Sequence, residues 1–86
     1  MLVLSDTLSI SQIDNEAVVL DAATGKYFGL NPTARRIFEV LQKTGSEEAA
    51  VTALASEFAV DRERLTTDVA AFVELLLSKG LAHHKP

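Results

Sequence analysis

The sequence has 86 residues, and its 12 acidic and eight basic side chains give a formal net charge of −4 at pH 7. A chain of this length can bury one hydrophobic core, so we expect a single domain over residues 1–86. The absence of cysteine excludes disulfides, thiolate metal sites and thiol nucleophiles, and it makes the cytoplasm the expected compartment.

The chain opens with the apolar run MLVL, which ends at the polar pair Ser5-Asp6. The run is much shorter than a membrane-spanning helix, and no basic segment precedes it. We therefore expect neither a signal peptide nor a membrane span.

Two strands are predicted next. The stretch LSIS alternates apolar and polar residues, which indicates a strand over about residues 7–12 with one covered face. Asp14-Asn15 is a turn signal, and the run EAVVLD that follows predicts a second strand over residues 16–21.

A short loop containing Gly25 returns the chain as a third strand, KYFGL, over residues 26–30. The second strand is then central, and the third strand has a free edge. Phe28 lies on one face of this strand and Tyr27 on the other. Gly29 leaves the backbone bare, which fits a bulge or tight packing as well as it fits contact with a partner chain.

Three helices follow the strands, and each begins at or directly after a side chain that can accept hydrogen bonds from free backbone amides. These caps are Asn31, Ser46 and Asp61, and the predicted helices cover residues 32–44, 46–58 and 61–79. The expected fold is α+β, a three-stranded antiparallel sheet followed by three helices. It resembles a winged helix-turn-helix with the sheet moved to the front.

The third predicted helix is more apolar than an amphipathic helix needs to be. One of its flanks should therefore lie outside the core of the domain. We favour the flank with Ala70, Val73 and Leu77, because Asp68 and Lys79 interrupt the other side.

No residue pattern is typical of catalysis or metal binding. His83 and His84 are adjacent, so they cannot share a helix face, and they lie in a tail, residues 83–86, that we expect to fray. The sequence has no Gly-x-Ser-x-Gly, His-Glu-x-x-His or glycine-rich phosphate motif. We predict that the chain is not an enzyme by itself and uses no metal or cofactor.

A winged-helix DNA-binding regulator is one functional interpretation, with Arg62 and Arg64 at the start of the third helix entering the major groove. The charges disfavour it, because Asp61, Glu63 and Asp68 surround these arginines and the whole chain is acidic. The electrostatic attraction that dominates DNA affinity would then be weak or repulsive. Simple solvent exposure explains both arginines better.

Peptide binding is a second interpretation, in which a peptide adds as a strand to the free edge of residues 26–30. Its apolar side chains would enter the space between this strand and the surplus flank of the third helix. Alternatively, Lys26 and Gly29 blunt the edge, and the helix flank meets a second copy in a homodimer. Periodicity alone does not separate these two interpretations.

The runs VVLDAATGKYFGLNPTARRIFEVLQKTGS and LTTDVAAFVELLLSKGLA resemble the PqqD-like family, also called RiPP recognition elements. The shared pattern is an apolar strand ending in Asp, a Thr-Gly turn and an aromatic strand ending in Leu-Asn, followed by helices of which the last ends in Gly-Leu. The resemblance covers Val18 to Ala82, which is most of the chain.

The resemblance implies that the chain binds the leader segment of a ribosomally made precursor peptide and presents it to modifying enzymes. The leader would lie antiparallel to the third strand, in a groove closed by the third helix. The positions that would bind it are Leu20, Lys26, Tyr27, Phe28, Gly29, Leu30, Val69, Ala70, Val73 and Leu77. Leu20 and Phe28 would line one pocket together with the helix residues.

The short, stand-alone form resembles two kinds of family member. One kind is the peptide chaperone of pyrroloquinoline quinone biosynthesis. The other is the leader-binding protein of lasso-peptide pathways, which works with a leader peptidase and a macrolactam-forming cyclase. We favour the lasso-peptide type.

Overall fold

The computed structural model describes residues 1–14 and 16–86 and contains a three-stranded antiparallel sheet followed by three helices. The α+β fold is therefore confirmed. In chain order, the elements are β1 (Leu2–Leu4), β2 (Leu8–Ile13), β3 (Glu16–Asp21), β4 (Lys26–Leu30), α1 (Pro32–Thr44), α2 (Glu47–Glu57), α3 (Arg62–Ser78) and β5 (Ala82–His84).

The three-stranded sheet has the order β2-β3-β4, so the second predicted strand is central. Asp14, in the predicted turn before β3, adopts a φ of 56°, whereas its partner in that prediction, Asn15, lies outside the described residues. Gly25 ends the loop between β3 and β4 with a φ of 73°, a conformation that glycine adopts without strain.

One face of this sheet packs on the helices. Along β3, Ala17, Val19 and Asp21 are buried, and the residues between them point to the opposite face. Opposed residues on neighbouring antiparallel strands share a face, and Phe28 of β4 is paired with Val19. Phe28 therefore points toward the core, where it is half-buried.

The helices begin at the predicted caps. The Asn31 side chain accepts a hydrogen bond from the Ala34 N–H at 2.8 Å, and Ser46 caps α2 in the same way. The largest fully buried side chains are Phe38, Leu41, Leu54, Leu65, Leu76, Val19 and Val69. None of the helices in the described part of the chain is long and apolar enough to cross a membrane.

The prediction that residues 83–86 fray is wrong for His83 and His84, because both belong to β5. β5 pairs antiparallel with β1, with Val3 opposite His83, and the two strands form a second, two-stranded sheet. The amino terminus adds a hydrogen bond to the Lys85 carbonyl at 3.2 Å. The apolar run at the start of the chain thus forms the strand with which the C-terminal tail pairs.

Candidate functional site

The side of β4 that faces away from β3 is a free edge of the sheet: among the described residues, no strand pairs with it. An unpaired strand edge offers a row of N–H and C=O groups to another extended chain. Such a chain would bond to the backbone groups of β4 that point to the free edge.

The hydrogen bonding between β3 and β2 determines which backbone groups of β4 point to the free edge. The Ala22 N–H, just after β3, donates to the Thr7 carbonyl at 3.0 Å, so the backbone of Ala22 points toward β2. In an antiparallel sheet the N–H and C=O of a residue point to the same side, and this side alternates along the strand. Leu20 and Val18 therefore also bond toward β2, while the residues between them bond toward β4.

The register between β3 and β4 shows which backbone groups of β4 bond to β3. Phe28 pairs with Val19, so its backbone groups bond to β3, as do those of the residues two places away on either side. The backbone N–H and C=O groups of Tyr27 and Gly29 consequently point to the free edge. Val18 pairs with Gly29 in regular register, so Gly29 does not form a bulge.

A groove of about 660 Å³ lies beside the free edge, between the start of β4 and the end of α3. Its lining residues are Asp21, Thr24, Gly25, Lys26, Tyr27, Phe28, Ser78, Lys79 and Leu81. Phe28 and Leu81 supply an apolar floor, and the two lysines supply positive charge. The groove can therefore accept side chains from a strand added at the free edge.

Three of the predicted binding residues, Lys26, Tyr27 and Phe28, line this groove. Leu30, at the far end of β4, is buried and lines a separate cavity of about 330 Å³. Gly29 lies between the two cavities along the strand and contributes backbone groups only.

The placement of Leu20 and Phe28 in one pocket is wrong. Leu20 is paired with Tyr27, and both side chains lie on the outer face of the sheet, where they are 41% and 74% exposed. The predicted strand bounds imply the same pairing, because a loop that places Asp21 opposite Lys26 also places Leu20 opposite Tyr27.

The choice of the α3 flank also needs correction. Val69 and Val73 are only 1% and 3% exposed, so they belong to the core of the domain and not to the groove. Ala70 is exposed, Leu77 is half-buried, and neither lines the groove. The large apolar side chain that α3 exposes is Leu75, on the side of the helix with Asp68 and Lys79.

Sequence reasoning missed the groove residues that come from loops and element ends. Ser78 and Lys79 stand at the end of α3, Leu81 follows the helix, and Thr24 lies in the loop before β4. Of these residues, only Thr24 had a local sequence signal, because the loop of a hairpin lies next to the strands that it connects.

The Asp21 carboxylate organises the loop at the mouth of the groove. It accepts hydrogen bonds from the Thr7 hydroxyl at 2.7 Å, the Thr24 hydroxyl at 3.0 Å and the Ala23 N–H at 3.1 Å. The bond from Thr7 is the largest of the effects that lower the pKa of Asp21, and burial opposes it. Asp21 is therefore ionised near neutral pH.

The arginines of the DNA-binding interpretation make contacts within the chain. Arg62 donates to the Thr52 hydroxyl at 3.2 Å, and Arg64 lies 3.9 Å from the Asp68 carboxylate. Both side chains are exposed at the start of α3.

Comparison with known proteins relates residues 16–82 to a family model, that of coenzyme PQQ synthesis protein D (PqqD). The solved structure of TbiB1 in complex with the TbiA(beta) leader peptide is 34% identical, with a TM-score of 0.82 over 96% of both chains. The structure of lasso peptide synthetase B1 complexed with the leader peptide has the same identity and TM-score, over 96% of this chain and 98% of the other. No curated protein matches. The chain belongs to the PqqD family.

Proposed function

We propose that this chain binds the leader segment of a ribosomally made precursor peptide as an additional strand at the free edge of β4. The observation that carries the proposal is the similarity, with a TM-score of 0.82 over 96% of the chain, to two solved structures that hold a leader peptide. The free edge and the groove beside it give this chain a place for such a peptide.

In this proposal the leader runs antiparallel to β4 and bonds to the outward backbone groups of Tyr27 and Gly29. Leader residues opposite Lys26 and Phe28 then share the face of those side chains and enter the groove. The intervening leader residues lie on the outer face beside Tyr27. Backbone pairing supplies sequence-independent affinity, and the groove supplies selectivity.

We assign the chain to lasso-peptide biosynthesis, because one of the two similar structures is that of a lasso peptide synthetase B1. Its role would be to deliver the leader to a leader peptidase and other modifying enzymes, without catalysing a reaction itself. A peptide chaperone of pyrroloquinoline quinone biosynthesis is the second candidate, since the family model carries that description.

Fluorescence polarisation with a labelled precursor leader tests the proposal. We expect saturable binding at micromolar concentrations and no binding of a scrambled leader of the same composition. Equal binding of both peptides, or no binding at tens of micromolar, would contradict leader recognition. Precursors of the lasso and pyrroloquinoline quinone type, tested side by side, separate the two pathways.

A further inference from the structure

Two lysines and one carboxylate, that of Asp21, line the groove, so its lining is net positive on a chain whose formal net charge is −4. Lys26 and Lys79 both line it, one from the start of β4 and one from the end of α3, and both side chains are exposed. Neither lysine forms a salt bridge within the part of the chain that the structure describes.

The acceptor groups nearest these lysines in the fold accept hydrogen bonds from other donors. Asp21 is paired with Lys26 in the register, but its carboxylate accepts bonds from Thr7, Ala23 and Thr24. Three carbonyls in the last turn of α3 accept hydrogen bonds from the backbone N–H groups that follow the helix. These bonds run from Lys79 to Leu75, from Gly80 to Leu77 and from Leu81 to Leu76.

The cavity at the other end of β4 provides a comparison. It contains Arg35 and Arg36, but Arg35 is paired with Glu39 at 3.0 Å and Arg36 with Glu57 at 2.9 Å. Salt bridges thus pair the cations of that cavity, whereas Lys26 and Lys79 are in no salt bridge among the described residues, although the Asp21 carboxylate lines the same groove.

We infer that the groove selects a leader segment with an Asp or Glu side chain positioned between Lys26 and Lys79. This inference rests on the proposed function, since it specifies the chemistry of the peptide that adds to β4. An acidic side chain there completes two ion pairs that the chain leaves open, and a basic side chain is repelled by both lysines.

The register places this acidic residue in the leader sequence. A strand antiparallel to β4 meets Phe28 before it meets Lys26, and the residues opposite these two positions are separated by one residue. The residue opposite Phe28 should be apolar, because Phe28 and Leu81 are the large apolar side chains that line the groove. The preferred leader motif is therefore apolar-x-acidic.

Selection from a displayed library of random peptides of about ten residues tests this motif without knowledge of the natural precursor. The baits are the wild type, Lys79→Glu and the double variant Lys26→Glu/Lys79→Glu. Lys85→Glu, at an exposed position outside the groove, is the control that changes net charge as much as Lys79→Glu does.

We expect the wild type and Lys85→Glu to enrich peptides with Asp or Glu two positions after an apolar residue. Lys79→Glu should lose this preference, and the double variant should enrich Lys or Arg at the same position. An enriched acidic peptide should bind the double variant roughly tenfold more weakly than the wild type, because each exposed ion pair contributes modestly. Its affinity for the wild type should fall as salt is added.

Two failures can be distinguished. If the wild type enriches strand-forming peptides without an acidic preference, this inference is overturned and the proposed function stands. The same holds if Lys79→Glu keeps the acidic preference of the wild type. If no peptide is enriched by any bait, the proposed function fails and this inference fails with it. Circular dichroism checks that each bait is folded, and Lys26→Gln replaces Lys26→Glu if a glutamate opposite Asp21 unfolds the hairpin.

Discussion

Asp21 shows how a single side chain positions the groove. Its carboxylate joins Thr7, before β2, to Thr24 in the loop that leads into β4. The same residue ends β3 and lies opposite Lys26 at the start of β4. Because these contacts fix the loop, the mouth of the groove depends on a carboxylate that remains ionised.

The first prediction concerns the pH dependence of this contribution. The pKa of folded Asp21 lies below its ordinary value, so the stabilisation is complete above the unfolded-state pKa and is lost as pH falls through the folded pKa. Asp21→Asn should therefore be less stable than the wild type at pH 7, and the difference should shrink in acid. Urea unfolding between pH 7 and pH 2 measures it.

Asp6→Asn, at an exposed position, is the matched control for loss of one carboxylate. A stability difference between wild type and Asp21→Asn that stays constant down to the lowest pH would show that the ionised form is not what the hydrogen bonds stabilise.

The second prediction compares two glycines that both have positive φ, Gly45 at 67° and Gly25 at 73°. A Cβ at Gly45 would lie 2.6 Å from the Leu2 carbonyl oxygen, whereas a Cβ at Gly25 meets nothing within 4 Å. Alanine at Gly25 should cost about 1 kcal/mol for the left-handed backbone, and alanine at Gly45 roughly 3 kcal/mol. If urea unfolding shows that both variants lose the same free energy of unfolding, the predicted clash between a Cβ at Gly45 and the Leu2 carbonyl oxygen of β1 is wrong.

At the scale of elements, β4 is the strand on which the function depends, and the backbone groups along its two edges have different roles. One set of N–H groups holds the strand to β3, and the other set, on Tyr27 and Gly29, points to the free edge. A proline removes one N–H group, so its effect depends on which set it enters.

The third prediction is that Gly29→Pro keeps the fold and abolishes leader binding, because it removes an outward donor. Phe28→Pro should instead disrupt the sheet, because it removes a donor to β3. Gln12→Pro removes an outward N–H from the opposite edge, that of β2, and should leave binding unchanged. Circular dichroism and fluorescence polarisation with the labelled leader separate these outcomes.

If Gly29→Pro binds as tightly as the wild type while Gln12→Pro does not, the peptide adds to β2 and the proposed edge is wrong. An unfolded Gly29→Pro would contradict the assignment of its N–H to the free edge.

Element boundaries could be predicted from the sequence because their signals are local. The caps Asn31, Ser46 and Asp61 and the glycine-containing turns fall where the structure has them. The groove could not be predicted in this way. Periodicity defines an apolar stripe along α3, but it does not show which part of the stripe a neighbouring element covers. The prediction therefore places Val73 at the peptide, although this side chain is buried in the core.

At the scale of the whole molecule, the part of the fold that escaped prediction is the pairing of β1 with β5. Leu2 and His84 are paired although they lie at opposite ends of the chain. No local pattern marks such a contact, because its stabilisation comes from burial against elements that form separately. Leu2 and Ala82 are both buried in the common core.

The fourth prediction tests the contribution of this pairing to global stability. Leu2→Ala should lower the free energy of unfolding by about 2–4 kcal/mol, because it leaves a cavity at a buried position of a small core. Leu75→Ala, at an exposed apolar position of α3, should cost less than about 1 kcal/mol. Similar losses in thermal or urea unfolding would mean that β1 contributes little to the core.

The pairing of β1 with β5 also determines how the molecule responds to force. Both chain ends leave the sheet beside the same pair, Leu2 and His84. Antiparallel neighbours pulled from one end separate one hydrogen bond at a time, so tension on the two termini would unzip β1 from β5 first. The strands β2, β3 and β4 form a separate sheet, so the free edge of β4 would remain intact at a tension that has already opened the terminal pair.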